Sequence, residues 1–196
     1  AVLIDLAQKD KKPTLTSIVS ESFPHLSRGA LRNFLDIMKE QGYFRDNNWN
    51  ATNHIYKFES GSEIEFFSVD DPRKARGARR ERLFINEANN IPHGLETFEQ
   101  LEVRTSEFVM MDWNPVSEFW YYTKVRQRDD IDEIRLTYKD NEGLPQQVVK
   151  SIESRKDRKN WWRVFGLGLL GELEDKIYSN WIVIDNVPEG ARLERR

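Results

Sequence analysis

The residues best suited to chemistry come directly after a short apolar run, Leu83 to Ile85. An amide and a carboxylate, Asn86 and Glu87, follow this run. The run predicts a buried parallel strand with polar groups at its carboxyl end. In nucleotide-hydrolysing domains, residues at this point help to hold the Mg²⁺ shell and orient the attacking water. A core strand followed by an ordinary polar loop has the same pattern.

Polar residues also end the next predicted strand, Phe108 to Met111. The residues Asp112, Trp113 and Asn114 follow it. Strands joined by right-handed crossovers end at the same edge of a parallel sheet, and open α/β sheets bind ligands at that edge. We therefore expect Glu87 and Asn114 to face one ligand.

The densest basic segment runs from Arg73 to Arg82, directly before the central strand. Its basic residues are Arg73, Lys74, Arg76, Arg79, Arg80 and Arg82, with Gly77 among them. Such a segment could bring an arginine to the phosphates of a neighbouring subunit's nucleotide or to a DNA backbone. A loop that only meets solvent is equally compatible with the pattern.

Composition excludes several classes of protein. The chain of 196 residues suits one domain, or one domain with a small appendage. A net charge of -3 gives no whole-chain case for nucleic-acid binding, so any such contact must come from a local patch. The absence of cysteine excludes disulfides, thiolate metal sites and a cysteine nucleophile. No apolar stretch approaches the ~18 residues of a membrane span.

Other polar and aromatic residues have simpler interpretations. His25, His54 and His93 are scattered, without a partner at metal-ligand spacing, and receive no role. The acidic run 129–133 is more typical of a solvated loop than of a metal site. Aromatic residues between Trp113 and Tyr122 could stack on a base, but their spacing favours packing in a core.

Helical and strand periodicities alternate along the chain and predict a largely parallel sheet. The predicted helices are 1–8, a helix capped by Ser27 and ended by Gly42, 95–103, 116–125 and 145–154. The predicted strands are 14–20, a hairpin of 54–58 and 63–68 around Ser60-Gly61, 82–88, 108–111, 131–138 and 178–187.

Several of these segments, in their order and spacing, resemble one family over nearly the whole chain. The family is the ATPase domain of the large terminase subunit of tailed phages. The matching segments are Ser60-Gly61-Ser62-Glu63-Ile64, Arg76-Gly77, Leu83-Phe84-Ile85-Asn86-Glu87-Ala88-Asn89, Asp112-Trp113-Asn114-Pro115 followed by Phe119-Trp120, Trp161 to Gly166, and Ile177 to Trp181.

The resemblance implies an α/β fold with a three-layer, mostly parallel sheet of the additional-strand P-loop ATPase type, truncated at its N-terminus. Residues 1–155 would form the ATPase core, without its Walker A phosphate loop. Residues 156–196 would form a C-terminal subdomain or linker toward a nuclease domain expected after Arg196.

The resemblance also implies roles for particular residues, with ATP and Mg²⁺ as cofactors. Glu87 would be the catalytic carboxylate, Asn86 would contact the Mg²⁺ shell through water, and Asn114 would sense the γ-phosphate. Arg76 and Arg79 would contact phosphates.

Two departures from the family pattern limit this fragment. No glycine is followed by Lys and Ser or Thr, and Asn86 replaces the usual aspartate, so it brings no charge to Mg²⁺. We expect the 196-residue chain alone to hydrolyse ATP negligibly.

The implied function is a DNA-packaging motor in the cytoplasm of an infected or lysogenic bacterial host. Its partners would be double-stranded DNA, the portal protein and the small terminase subunit, and it would work as a homo-oligomeric ring without a membrane. The alternative is a non-catalytic nucleic-acid-binding or assembly module that retains the ATPase-like fold.

Overall fold

The computed structural model describes residues 1–71, 73, 75 and 77–172, and these form one six-stranded sheet. The strand order is β2-β3-β4-β1-β5-β6. The strands β4, β1, β5 and β6 are parallel, whereas β2, β3 and β4 pair in antiparallel fashion. The prediction of a mostly parallel sheet is confirmed. The strands are β1 (Leu15–Ser20), β2 (Trp49–Asn50), β3 (Ile55–Lys57), β4 (Glu63–Ser68), β5 (Arg80–Ile85) and β6 (Thr105–Met111).

Helices cover both faces of this sheet. The α-helices of the described residues are α1 (Val2–Lys9), α2 (Phe23–Arg28), α3 (Ala30–Glu40), α4 (Gly94–Glu102), α5 (Gln146–Glu153) and α6 (Lys159–Trp161), of which α1 to α4 pack on the sheet. Short 3₁₀ turns occupy Asp46–Asn48, Ala88–Asn90 and Tyr138–Asp140, and π-helical turns occupy Tyr121–Val125 and Trp162–Gly166. In the described ranges, no helix combines the length and hydrophobicity needed to cross a membrane.

Two hydrophobic cores, one on each face, give the predicted three layers. Ile18 and Ile64 of the sheet pack with Phe34 of α3 on one face. Leu83 and Ile85 pack with Phe98 and Leu101 of α4 on the other face. β1 lies between two parallel neighbours and is buried from Thr16 to Ser20, as expected for a strand covered on both faces.

Several predicted elements agree with the structure, but the predicted start of the second helix, at Ser27, does not. The helix 1–8, the strand 14–20, the hairpin around Ser60-Gly61 and the helices 95–103 and 145–154 are present with shifts of one or two residues. Ser27 does not cap α3, because it lies inside the short helix α2. Pro24 occupies the first turn of α2, where its fixed φ favours an earlier helix start.

Two predictions after β6 are wrong. Residues 131–137 form no strand. None of the six described strands pairs with this segment, and the Tyr121 hydroxyl donates a hydrogen bond to Glu133 within it (2.9 Å). The predicted helix 116–125 is reduced to Tyr121–Val125. The Pro115 carbonyl, which would accept a hydrogen bond from the fourth residue along in a helix, accepts one from the N–H of Gly171 instead (2.7 Å).

The strand at the edge of the sheet and the basic segment also differ from expectation. β6 begins at Thr105 rather than Phe108 and is only partly buried. Arg80 and Arg82 are buried members of β5 rather than loop residues, next to a register shift in the β5–β6 pairing. The predicted strand 178–187 lies outside the described residues, and the domain boundary at residue 155 stays a prediction.

A buried ion pair joins the end of α1 to the central strands. Arg82 Nη2 lies 2.6 Å from Asp10 Oδ1, and both side chains are at most 10% exposed. Asp10 also accepts hydrogen bonds from Thr14 and Ser62, and Arg82 Nε contacts Glu107 on β6 (2.7 Å). Burial acts to raise the pKa of Asp10, but the hydrogen bonds from Arg82, Thr14 and Ser62 outweigh it and lower that pKa.

We expect Asp10→Ala to lower the free energy of unfolding by about 3 kcal/mol, because it leaves the Arg82 charge buried without this partner. The matched control is Asp5→Ala, which removes the exposed Asp5–Lys9 pair and should cost roughly 0.5 kcal/mol. Denaturant titration of both variants and the wild type measures the difference.

The effect of Asp10 should also depend on pH. Because its folded-state pKa is lowered, its stabilisation is present above the unfolded pKa of about 4 and is lost as the pH falls through the folded value. The difference in free energy of unfolding between the wild type and Asp10→Ala should therefore decrease on acidification from pH 7 to pH 3. A gap that stays constant over this range would contradict the assignment.

Candidate functional site

The carboxyl ends of β5 and β6 open onto a cavity of about 690 Å³. The first residues of α1 form one wall, and the start of α3 with the end of α2 forms another. The polar residues that line it are His25, Arg28, Asn33, Asn86, Glu87 and Asp112. Polar residues that follow β5 thus lie beside Asp112, which follows β6, at this edge of the sheet.

Asp112 organises the turn that follows β5. Its Oδ1 accepts a hydrogen bond from the Glu87 backbone N–H (2.6 Å) and another from Asn86 Nδ2 (3.2 Å). Its carbonyl accepts from the N–H of Ala88 (2.9 Å). One residue at the end of β6 thus anchors three consecutive residues at the end of β5.

Glu87 has an unusual backbone conformation, with φ 55° and ψ 57°. This left-handed region costs a non-glycine residue roughly 1–2 kcal/mol. Asn86 and Ala88, on either side of the bend, donate hydrogen bonds to Asp112, and the Glu87 side chain lines the cavity. Strain of this kind is typical of functional sites.

One oxygen of the Glu87 carboxylate is held and the other is open. Oε2 accepts from Asn90 Nδ2 (3.0 Å) and lies 3.2 Å from His25 Nδ1. The same imidazole nitrogen lies 3.2 Å from Glu21. Among the described residues, Oε1 has no hydrogen-bond partner, so it is free to accept from a water or a ligand.

The electrostatics of the cavity favour a cation. Burial raises the pKa of Asp112, hydrogen bonds from Glu87 and Asn86 oppose that shift, and the nearby charge of Glu87 adds to it. The outer edge of Asp112 is nevertheless exposed to the cavity, so its desolvation is partial. Two neighbouring carboxylates would repel a phosphate, and a metal ion or an arginine would reduce that repulsion.

The residues present fit a nucleotide with Mg²⁺ better than a metal ion alone. In the described part of the chain, no three His, Cys, Asp or Glu residues are grouped to hold a metal by themselves. Mg²⁺ commonly uses only one or two carboxylates and takes its other ligands from phosphates and water. Asp112 and Asn86 could supply such oxygens. The first residues of α1 form the facing wall of the cavity.

The structure separates some of the predicted site residues. Asn114 lines a different cavity of about 190 Å³, and Asp112 contacts Glu87 in its place. Arg79 is exposed and does not line the cavity beside Glu87. Arg76 lies outside the described residues.

Sequence reasoning missed His25 and Asp112. His25 received no role because a search for metal-ligand spacing cannot find a contact between two different strand ends. It follows β1, the direct neighbour of β5, by a few residues. Asp112 follows β6 directly, on the other side of β5. Strand adjacency, rather than spacing, is the signal for both residues.

Comparison with protein families extends this picture. A family model described as phage terminase large subunit matches residues 30–169. The chain belongs to this family. The matched range includes β5, β6 and every polar residue named above in the cavity except His25 and Arg28. A comparison with curated protein sequences gave no significant match.

Solved structures of large terminases share the fold of this terminase chain. The large terminase of a thermophilic bacteriophage superposes with a TM-score of 0.74 at 17% identity, covering 90% of this chain and 46% of that protein. The complex of the same phage protein with ADP gives 0.68 at 16% identity, covering 85% and 43%. Its complex with ATP-gamma-S gives 0.61 at 15% identity, covering 87% and 42%. The chain thus spans less than half the length of this relative.

We expect Glu87→Gly in this terminase chain to leave the free energy of unfolding unchanged or to raise it by up to about 1 kcal/mol. Glycine adopts positive φ without the strain of a side chain, and the lost contacts with His25 and Asn90 are largely exposed. Denaturant titration measures the change.

His93→Gly is the matched control, because His93 has φ 53° and does not line the cavity. A loss of more than about 1 kcal/mol in Glu87→Gly, with no such loss in the control, would show that the side-chain contacts outweigh the backbone strain.

Proposed function

We propose that this terminase chain is the ATPase part of a motor that couples ATP hydrolysis to the translocation of double-stranded DNA into a phage procapsid. The observation that supports it best is the cavity of about 690 Å³, which the Asn86, Glu87 and Asp112 cluster lines. A carboxylate beside a bound nucleotide can accept a proton from the attacking water.

We assign Glu87 the role of catalytic carboxylate. Its open Oε1 would accept a proton or hydrogen bond from the water that attacks the γ-phosphate. His25 and Asn90 hold the other oxygen, so the orientation of the carboxylate is set before the nucleotide binds. Asn86 would contact the Mg²⁺ shell through a bound water, with Asp112 beside it.

ATP and Mg²⁺ are the proposed cofactors. The large terminase of the thermophilic phage was solved with ADP and with ATP-gamma-S, which supports a nucleotide as the ligand. Bound Mg²⁺ would neutralise the charge of the phosphates beside Glu87 and Asp112. A segment preceding α1 would enter this cavity, and we assign the phosphate loop to such a segment because no Gly-Lys-Ser or Gly-Lys-Thr occurs in the 196 residues.

Asn114 is proposed to sense whether the γ-phosphate is present in the site. It lies two residues after Asp112, on the connection that leaves β6, and it lines the adjoining small cavity. A shift of Asp112 on loss of the γ-phosphate would reach Asn114 through this short connection.

Arg76 and Arg79 are proposed to contact phosphates of a neighbouring subunit's nucleotide or of DNA. The exposure of Arg79 is compatible with contact in trans rather than with its own cavity.

The remaining assignments concern the assembled motor. We propose a homo-oligomeric ring that acts with double-stranded DNA, the portal protein and the small terminase subunit in the cytoplasm of the bacterial host. Residues 1–155 would serve as the ATPase core and residues 156–196 as the connection toward a nuclease domain.

In a protein extended upstream to include the phosphate loop, Glu87→Gln should lower ATP turnover by roughly 10²–10⁴. The amide is nearly isosteric but a far poorer base, so nucleotide affinity and folding stability should change little. Steady-state hydrolysis and nucleotide titration measure the two effects separately.

Two further variants sharpen this test. Glu99→Gln on the exposed side of α4 is the matched control and should leave turnover unchanged. Asn86→Asp should tighten binding of the magnesium–nucleotide complex, since it adds a charge next to the metal. Normal turnover by Glu87→Gln would remove Glu87 as the catalytic carboxylate. No turnover by the extended protein with Glu87 in place would favour a non-catalytic DNA-binding or assembly module.

The basic segment can be tested through Arg79 alone, because Arg80 is buried and its replacement would disturb the fold. If Arg79 contacts DNA phosphate, Arg79→Gln should weaken binding and reduce the slope of log affinity against log salt concentration by about 0.9. Arg32→Gln, an exposed arginine on α3, is the control. An unchanged slope in Arg79→Gln would leave Arg79 as a solvated surface residue with respect to DNA.

A further inference from the structure

The segment between α5 and α6 carries a local positive charge that the proposed ATPase reaction does not use. Residues 155–159 are Arg-Lys-Asp-Arg-Lys, in a chain whose net charge is -3. We call the four basic residues of this segment, Arg155, Lys156, Arg158 and Lys159, the basic turn. In the described part of the chain, no residue of α5, α6 or the basic turn belongs to the two cores that cover the sheet. The basic turn is therefore a surface apart from the cavity beside Glu87.

Backbone hydrogen bonds make this segment compact. The N–H of Arg158 donates to the Arg155 carbonyl (3.1 Å), and the N–H of Trp162 donates to the Arg158 carbonyl (2.8 Å). A turn closed by a hydrogen bond across three residues keeps its two ends within about 7 Å of each other. The four basic side chains thus start from neighbouring points of the surface.

Two tryptophans support two of the four cations. The Arg155 guanidinium lies 5.2 Å from the centre of the Trp161 ring, and Lys156 Nζ lies 5.3 Å from the centre of the Trp162 ring. The face of an indole attracts a cation without neutralising its charge. These two side chains are therefore held before any partner binds, and less conformational entropy is lost on binding.

Carboxylates neutralise only part of the charge. Among the described residues, Lys156 is the one member of the basic turn with a carboxylate within 4.0 Å, that of Glu153 (3.1 Å). Arg158 and Lys159 are exposed. Asp157, the acid inside the segment, forms no ion pair with a described residue and is also exposed. The basic turn consequently keeps a net positive charge that an anionic partner can neutralise.

The aromatic rings limit the kind of contact that this surface can make. A cation covers one face of Trp161 and of Trp162, and the same rings pack against Phe165 (5.2 Å) and Tyr138 (6.0 Å). They are therefore engaged within the protein and do not offer open platforms for stacking on bases. Lysine and arginine contacts to phosphate position a protein on DNA without carrying sequence information.

Duplex DNA matches the density of charge on this surface. It carries one negative charge per about 1.7 Å of its axis, so several side chains of one turn can meet phosphates at the same time. Arginine and lysine differ in geometry but both bind phosphate.

We propose that the basic turn binds the phosphate backbone of double-stranded DNA without reading its sequence. Arg158 and Lys159 supply two exposed charges, and Arg155 supplies a third that Trp161 holds in place. The inference rests on the proposed role of double-stranded DNA as a partner of this chain. It assigns that contact to a surface that the proposed function leaves unused.

The first test measures the affinity of the 196-residue chain for a DNA duplex by fluorescence anisotropy, over about 50 to 200 mM salt. The double variant Arg158→Gln/Lys159→Gln removes two phosphate contacts, so the slope of log affinity against log salt concentration should fall by about 1.8. The ratio of wild-type to variant affinity should accordingly be about twelvefold larger at the low-salt end than at the high-salt end.

The matched control is Lys11→Gln/Lys12→Gln, which removes two exposed lysines from the loop after α1 and should keep the wild-type slope. An unchanged slope in Arg158→Gln/Lys159→Gln, or an equal change in the control, would overturn the assignment to the basic turn. Duplex binding by the wild type would then place the DNA contact on another surface and leave the proposed partner standing. Absence of duplex binding by the wild type would overturn both this inference and DNA as a partner of the chain.

A variant of opposite sign provides an independent test. Asp157→Asn removes the acid between the four cations, so it should tighten duplex binding at low salt about threefold, the scale of one exposed ionic contact. Asp36→Asn, at an exposed position of α3, is the matched control and should bind as the wild type does. Unchanged or weaker binding by Asp157→Asn would contradict an electrostatic contact at this turn.

Competition experiments identify the class of partner. An acidic protein surface is the other polyanion that a basic turn attracts, and polyglutamate represents it. Unlabelled duplex should displace the labelled duplex at a lower concentration of negative charge than polyglutamate does, and equal displacement would overturn the assignment to DNA. Duplexes of two unrelated sequences should bind equally, and a preference of more than about tenfold for one of them would contradict recognition of the backbone.

Discussion

The buried ion pair between Asp10 and Arg82 is the constraint on which the arrangement of this terminase chain depends. It ties the residue that ends α1 to the middle of the sheet, with Thr14, Ser62 and Glu107 completing the network. Because α1 is a rigid helix of two turns, holding its end also places its beginning. The beginning of α1 then forms a wall of the cavity opposite Glu87.

The chemistry of the site follows from the three parallel strands β1, β5 and β6. Each contributes one group from beyond its carboxyl end: His25 after β1, Glu87 after β5 and Asp112 after β6. Asp112 bends the backbone at Glu87, and His25 holds one oxygen of its carboxylate. The strained backbone of Glu87 is thus maintained by its two neighbouring strand connections, and Glu87 lines the cavity with one carboxylate oxygen that has no partner among the described residues.

The charges at this edge bear on the proposed nucleotide and metal ion. Glu87 and Asp112 lie side by side, and the pKa of Asp112 is raised because burial disfavours its charged form. Phosphate alone would add further negative charge to this pair. Mg²⁺ or a basic side chain would offset that repulsion, so the proposed function requires a cation beside the nucleotide.

The sequence by itself determined the parts of this protein that depend on short-range patterns. The apolar run 83–85 before Asn86 and Glu87, the Ser60-Gly61 hairpin, and the helices α4 and α5 were predictable because periodicity and turn chemistry act within a few residues. The alternation of strands and helices also predicted the parallel sheet and the shared edge of β5 and β6. The order of motifs predicted the family.

Only the tertiary structure decided which residues meet. Arg80 and Arg82 belong to a basic run that predicts an exposed loop. In the structure, Arg82 pairs with Asp10, and the Arg80 guanidinium donates to the carbonyls of Ala78 and Leu101. Residues 131–137 have strand composition, but none of the six described strands pairs with them. Asp112 rather than Asn114 contacts Glu87, and His25 reaches it from another strand. In each case a partner distant in sequence sets the outcome, and no local pattern contains that information.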